Sequence, residues 1–152
     1  MADVERALFT IGVFKDAEWA TRGIAALTKQ GFAPAALSIL AKDDPLVSSL
    51  IESVFGDGPE RVDLPVVGPA LAKGTLLAAL QGVAGDVGRI GMAAAMRRVG
   101  FQPHDGLIFE SLAGRGGVLV AVEDAPRAAD ALAILHSYGG GNAAIGAWAG
   151  RV

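Results

Sequence analysis

The chain has no cysteine, two histidines, one tyrosine and little charge, with 19% of its 152 residues Asp, Glu, Lys or Arg. Without thiols it can hold no disulfide, no thiolate zinc centre and no cysteine nucleophile. His104 and His136 form no paired metal-ligand motif, and neither H-E-x-x-H nor a Ser-His-Asp order occurs. Positive charge is also short, since 13 Lys and Arg against 16 Asp and Glu leave a net charge of −3. A nucleic-acid partner needs a concentrated basic face, so none is expected. Neither G-x-G-x-x-G nor a Walker A sequence is present, and the glycine-rich turns Ala113–Gly117 and Gly139–Asn142 precede strands. A phosphate cradle requires glycines after a strand and opening a helix, so no cofactor is expected.

A long apolar run is missing too. In the glycine-rich region the longest charge-free stretch is Gly74–Gly85. As a helix it would reach roughly 18 Å, short of the ~30 Å hydrocarbon core, so no transmembrane span is expected. Residues 1–9 mix charges without a long apolar run, which argues against a secretory leader and for a cytoplasmic protein. The apolar content is nonetheless high, at 52% hydrophobic residues and a mean hydropathy of +0.44. One domain over 1–152 fits this length.

Its organisation is repetitive. Ala7–Phe14 reads as a strand, Asp16 as a helix cap, Ala20, Ile24 and Leu27 as a helical stripe, and Gly31 as the stop, with a second strand at Ala36–Ala41. The pattern returns at a constant offset of 108 residues in Asp124, Ala128, Leu132, Leu135 and Gly139. Two β-α-β units, 7–41 and 115–149, pair most simply as a ferredoxin-like split β-α-β fold of the α+β class. That fold has a four-stranded antiparallel sheet with two helices on one face.

Between them, residues 44–115 read as a helical insertion rich in glycine and alanine. Asp44-Pro45 opens one helix that stops at Gly56, Pro69 opens another, a third spans Asp86 to Val99, and a fourth runs from Pro103 to about Gly114. Gly82 and Gly85 separate the second and third, with Asp86 as a cap. Gly88 and Gly91 fall inside the third, where each costs about 1 kcal/mol relative to alanine. Gly74, Ala78 and Gly82, together with Gly91 and Ala95, form small-residue stripes that suit a closely packed helical hairpin. Leu76, Leu77 and Leu80 cannot share one narrow stripe with them. The candidate interface for a second copy or a protein partner is therefore Gly74, Leu76, Leu77, Ala78, Leu80, Gly88, Gly91 and Ala95.

Other polar residues carry little chemistry at this level. His104, Asp105 and Glu110 read as a solvent-exposed helix start, and His136 as a last-turn cation. Arg89, Arg97, Arg98 and Arg115 make the middle segment locally basic, as a solvated face or as anchors near a partner. Trp19 and Trp148 read as packing or interface anchors.

Three stretches give the chain a familiar look. They are FTIGVFKDAEWATRGIAALTKQGFAPAALSIL, the glycine- and alanine-rich middle, and GFQPHDGLIFESLAGRGGVLVAVEDAPRAADALAILHSYGG. In the last, Gly100-Phe101, Phe109-Glu110 and Gly116–Val120 keep the family's order. The chain resembles the bacterial general stress protein family, the heat-induced stress proteins with a small α/β domain, over most of residues 7–148. The resemblance implies a stress setting in the cytosol and brings no catalytic residues with it.

The leading expectation is a non-enzymatic stress-associated protein that self-associates or docks a partner. The rival is a small-molecule-sensing ferredoxin-like module, which a buried polar cluster near Asp16, Asp124 or Arg115 would favour.

Overall fold

Local signals place the first elements where the sequence predicts them. Strand β1 (Ala7–Phe14) hands over to helix α1 (Ala17–Lys29) at Asp16, whose Oδ1 accepts the Trp19 N–H at 2.9 Å. The helix closes on Gly31, and the Phe32 N–H donates back to the Leu27 carbonyl while its ring is buried. Such a return bond with an apolar contact is a standard helix stop. Strand β2 (Leu37–Lys42) follows a 3-10 turn at Pro34–Ala36. The computed structural model describes residues 7–82, 85–138 and 141–148 of the chain. Gly139, the expected end of the second repeat's helix, lies outside them.

The segment between the repeats departs from the prediction. Helix α2 (Pro45–Phe55) forms as expected, with Asp44 accepting the Leu46 N–H and Gly56 closing it. A β-hairpin then follows, β3 (Glu60–Leu64) and β4 (Gly68–Lys73), so the insertion is not wholly helical. Pro69, read as a helix start, sits at the beginning of β4, where its missing N–H costs no interior ladder bond. Helix α3 (Thr75–Gln81) begins only after Gly74. The helix expected over Asp86–Val99 is broken at Gly91 into α4 (Val87–Ile90) and α5 (Met92–Arg98). Gly91 has φ 92°, which right-handed helix excludes, so it is a joint and not the helix-interior glycine of the prediction. Helix α6 (Pro103–Gly114) precedes β5 (Val118–Glu123), α7 (Ala128–Ser137) and β6 (Gly141–Trp148).

The described strands form one six-stranded sheet in the order β3-β4-β2-β5-β1-β6, with every pairing antiparallel. This corrects the expected four strands, because the hairpin adds two beside β2. The 108-residue offset is visible in the geometry. A 3-10 turn at Ala125–Arg127 leads into α7, so the helical stretch 125–137 sits 108 positions after 17–29. In the central ladder Gly12 lies opposite Val120, its own counterpart at that offset. Asp124 does not cap α7 with its side chain, and its carbonyl accepts the Arg127 N–H instead.

Helices cover both faces of the sheet, which corrects the expected single helical face. Along β5, Val118, Val120 and Val122 pack with α1, α2 and α7, while Leu119 and Ala121 pack with α3, α4, α5 and α6. Antiparallel sheets commonly leave one face to water, but here every residue from Val118 to Val122 is buried. Much of the chain's apolar content is thus buried within it.

The joint between sheet and second layer is tight. Gly74 caps α3 at φ 115°, and a Cβ there would lie 2.5 Å from the Leu37 carbonyl oxygen and 2.6 Å from the Ser38 Cα. Having no side chain, Gly74 cannot cap the helix. The buried Ser38 hydroxyl on β2 accepts the Leu76 N–H at 3.0 Å in its place. Gly74→Ala combines backbone strain with a clash against backbone and is expected to cost about 3–5 kcal/mol. Ser38→Ala leaves that N–H unpaired at a cost of about 1–2 kcal/mol. Urea melts of the two variants check this order.

Candidate functional site

The tip of the β3–β4 hairpin is strained. The Val67 N–H donates to the Pro65 carbonyl at 2.8 Å, closing a γ-turn with Val66 at its centre and φ 70°. That turn form is rare and strained, and a β-branched residue is poorly suited to it. Val66 is also 70% exposed although large and apolar. A strained, exposed hydrophobe held by well-packed surroundings is the kind of outlier from which a functional hypothesis can start.

Helix α6 supplies the facing wall. Pro103, Leu107 and Glu110 recur at helical spacing and share one face of it. Leu107 stands 59% exposed, while Glu110 is only 9% exposed. The third wall is α5 with the end of α4, contributing Ile90, Ala93, Ala94 and Arg97. The open groove so formed has a volume of about 410 Å³. Small side chains at Ala93 and Ala94 keep it open. Phe101 and Phe109, edge to face at 5.9 Å, support α6 from beneath.

Two opposite charges line this apolar groove. The Glu110 Oε2 accepts the Ala93 N–H at 3.3 Å, and no cation lies within ion-pair distance of it among the described residues. Arg97 is likewise outside every ion pair found there and reaches into solvent. Its neighbour Arg98 is used differently. The Arg98 guanidinium binds the Leu80 carbonyl at the end of α3 and the Asp86 carboxylate at 3.0 Å, which clamps α5 against α3. Asp86, expected as a helix cap, makes no capping bond and pairs with Arg98 and Arg89.

The expected interface residues are scattered by the fold. Leu76, Leu77, Leu80 and Ala95 are buried in the chain's own core. Gly74 and Gly82 end α3 instead of forming a stripe with Ala78, which is exposed. Gly88 is exposed, with the Asp63 carbonyl oxygen 2.9 Å from where a Cβ would sit. Of the eight, Gly91 lines the groove. Val66, Leu107, Glu110 and Arg97 are not among the expected eight, although the spacing of Pro103, Leu107 and Glu110 was available as a signal.

The other polar residues singled out in the sequence lie apart from one another. His104 is exposed beside Asp105 at 3.3 Å, but Glu110, expected at a solvent-exposed helix start, is buried on the groove side, where α5 packs over it, and no metal-binding group of three occurs among the described residues. Asp16 is an exposed cap, Asp124 is half-buried, and Arg115 is exposed at the end of α6. Trp19 is half-buried under the Arg22 guanidinium at 4.8 Å. The side chain of Trp148 lies outside the described set. A second hollow between α1 and α7 is rimmed by Lys29, Arg127 and Asp130, but Arg127 is occupied by Asp130 at 3.7 Å and the Phe32 ring at 4.0 Å. No helix among the described residues is long and apolar enough to cross a membrane.

The chain matches no protein-family model, no curated protein and no solved structure at a significant level.

The clamp gives a pH-dependent prediction. Hydrogen bonding from Arg98 holds the Asp86 carboxyl below its ordinary value of 3.8, with the charges of Arg98 and Arg89 adding to the effect. The ionised form therefore favours the fold, a contribution present above that value and lost as pH falls through the lowered one. Asp86→Asn should be less stable than the parent at pH 7, and the difference should close under acid. Denaturant melts from pH 7 to 2 read this directly.

Proposed function

We propose that the protein is a non-enzymatic module that works by self-association, with the groove beside Val66 as the contact. The observation that carries this reading is the pair of exposed apolar side chains, Val66 and Leu107, standing on the rim of an apolar hollow. A patch with both knobs and a hole can be complementary to itself, which is the requirement of a two-fold interface. The occupant proposed is a second copy of the chain. The rival, a small-molecule sensor, has less support, because among the described residues no buried polar cluster forms at Asp16, Asp124 or Arg115.

The core of this module is read as a ferredoxin-like split β-α-β unit. Support comes from the adjacent order β2-β5-β1-β6, the antiparallel ladders and the 108-residue offset. In this reading the insertion adds a hairpin to one edge and a helical layer to the face that such a core leaves open. A cytoplasmic stress-associated role is the setting that the sequence resemblance implies.

The test is molar mass by light scattering from about 1 to 100 micromolar. The parent is expected to reach a dimer, and Leu107→Glu is expected to remain monomeric and to melt like the parent at the dilute end of that range, where the parent too is monomeric, because Leu107 is exposed within one chain. A parent that stays monomeric throughout sinks the reading. Val66→Gly separates strain from contact. Relief of the γ-turn outweighs the added unfolded-state freedom by about 0.5–1 kcal/mol, so its monomer should melt higher while its dimer weakens.

A further inference from the structure

We infer that the groove is completed by a reciprocal ion pair, Arg97 of each copy reaching the Glu110 of the other. This rests on the self-association reading and adds what recognises the second copy. Glu110 is a carboxylate with nine-tenths of its surface covered, in an apolar hollow, with one long hydrogen bond from Ala93 and no cation within reach among the described residues. Burying a carboxylate is costly unless it is paired. Its remaining exposure lies in the groove, so a cation that pairs with it arrives from that side, opposite the first turn of α5 that supplies the Ala93 N–H.

The required cation is already on the same surface. Arg97 lines the groove, lies outside the ion pairs formed by the neighbouring Arg89 and Arg98, and is not within 4 Å of Glu110 in its own chain. A single chain thus presents one acid and one base in one hollow without joining them. An isologous interface applies the patch twice, so residue 97 of one copy meets residue 110 of the other at two equivalent places. The acid lies in the hollow and the base reaches into solvent, which suits an arm-into-pocket fit. Arginine carries a planar donor fork matched to a carboxylate. Ala93 and Ala94 are small enough to leave the incoming side chain room, and Val66 and Leu107 exclude water around the pair.

The cross pairing predicts a charge-swap pattern that no other occupant produces. In Arg97→Glu both cross pairs become acid against acid, and in Glu110→Lys both become base against base. In their mixture each pair is again acid against base. Sedimentation velocity should show that each variant alone loses dimer affinity by about tenfold or more, and that the equimolar mixture regains it as a heterodimer. Glu110→Gln keeps the shape of the buried side chain and should also weaken the dimer, so the inference stays testable if Glu110→Lys fails to fold. A parent dimer whose affinity is unchanged by both Arg97→Glu and Glu110→Gln overturns the ion pair and leaves the apolar contact standing. The ion pair is overturned in the same way if folded Arg97→Glu and Glu110→Lys fail to combine. A monomeric parent overturns both readings together.

Discussion

A sheet that is apolar on both sides has to be covered on both sides, and most of this architecture follows from that constraint. Strand β5 has no polar residue between Val118 and Val122, and all five are buried. The two helices of the repeat, joined by α2, cover one face. The insertion covers the other, so α3 to α6 form a second hydrophobic layer and not an appendage. Leu76, Leu77 and Leu80 then belong to the interior, and the apolar composition stops being an argument about what lies on the surface.

What remains on the surface after both faces are closed is more informative. The hairpin that extends the sheet ends in a γ-turn strained at Val66, and the break at Gly91 lets α5 approach α6 beside it. These two backbone irregularities flank the same hollow. Ala93 and Arg97, four apart on α5, share one face of it, and the break at Gly91 frees the first-turn Ala93 N–H that the Glu110 carboxylate accepts. The clamp of Arg98 on the end of α3 fixes α5 from the opposite side. It thereby holds adjacent arginines to different roles, one structural and one facing outward.

The repeat units were legible because their signals are local. Asp16, Gly31 and Phe32 act within one turn of the helix they delimit, and the 108-residue offset needs only two such units. The hairpin was not legible, since β3 is charged at Glu60, Arg61 and Asp63, and β4 runs Gly-Pro-Ala-Leu-Ala-Lys with no β-branched residue. Pairing with β2 overrides those weak propensities. The uninterrupted apolar run of β5 did carry a sign of burial on both faces. Nothing in the sequence marks a valine for positive φ, and burial of Glu110 depends on helices that meet only in the folded chain.

The cap that Ser38 gives to α3 has a consequence for the order of folding. The first turn of that helix lacks a side-chain acceptor at Gly74 and borrows one from 38 residues away. Alone, a seven-residue helix is too short to hold itself together. The second layer is therefore conditional on β2 and β4 being paired, whereas α1 carries its own cap and needs no such permission. A partly opened molecule would shed α3 to α6 as a unit while the sheet and first layer persist. Slow amide exchange would then concentrate in β1, β2 and β5, with earlier exchange throughout the layer that shapes the groove.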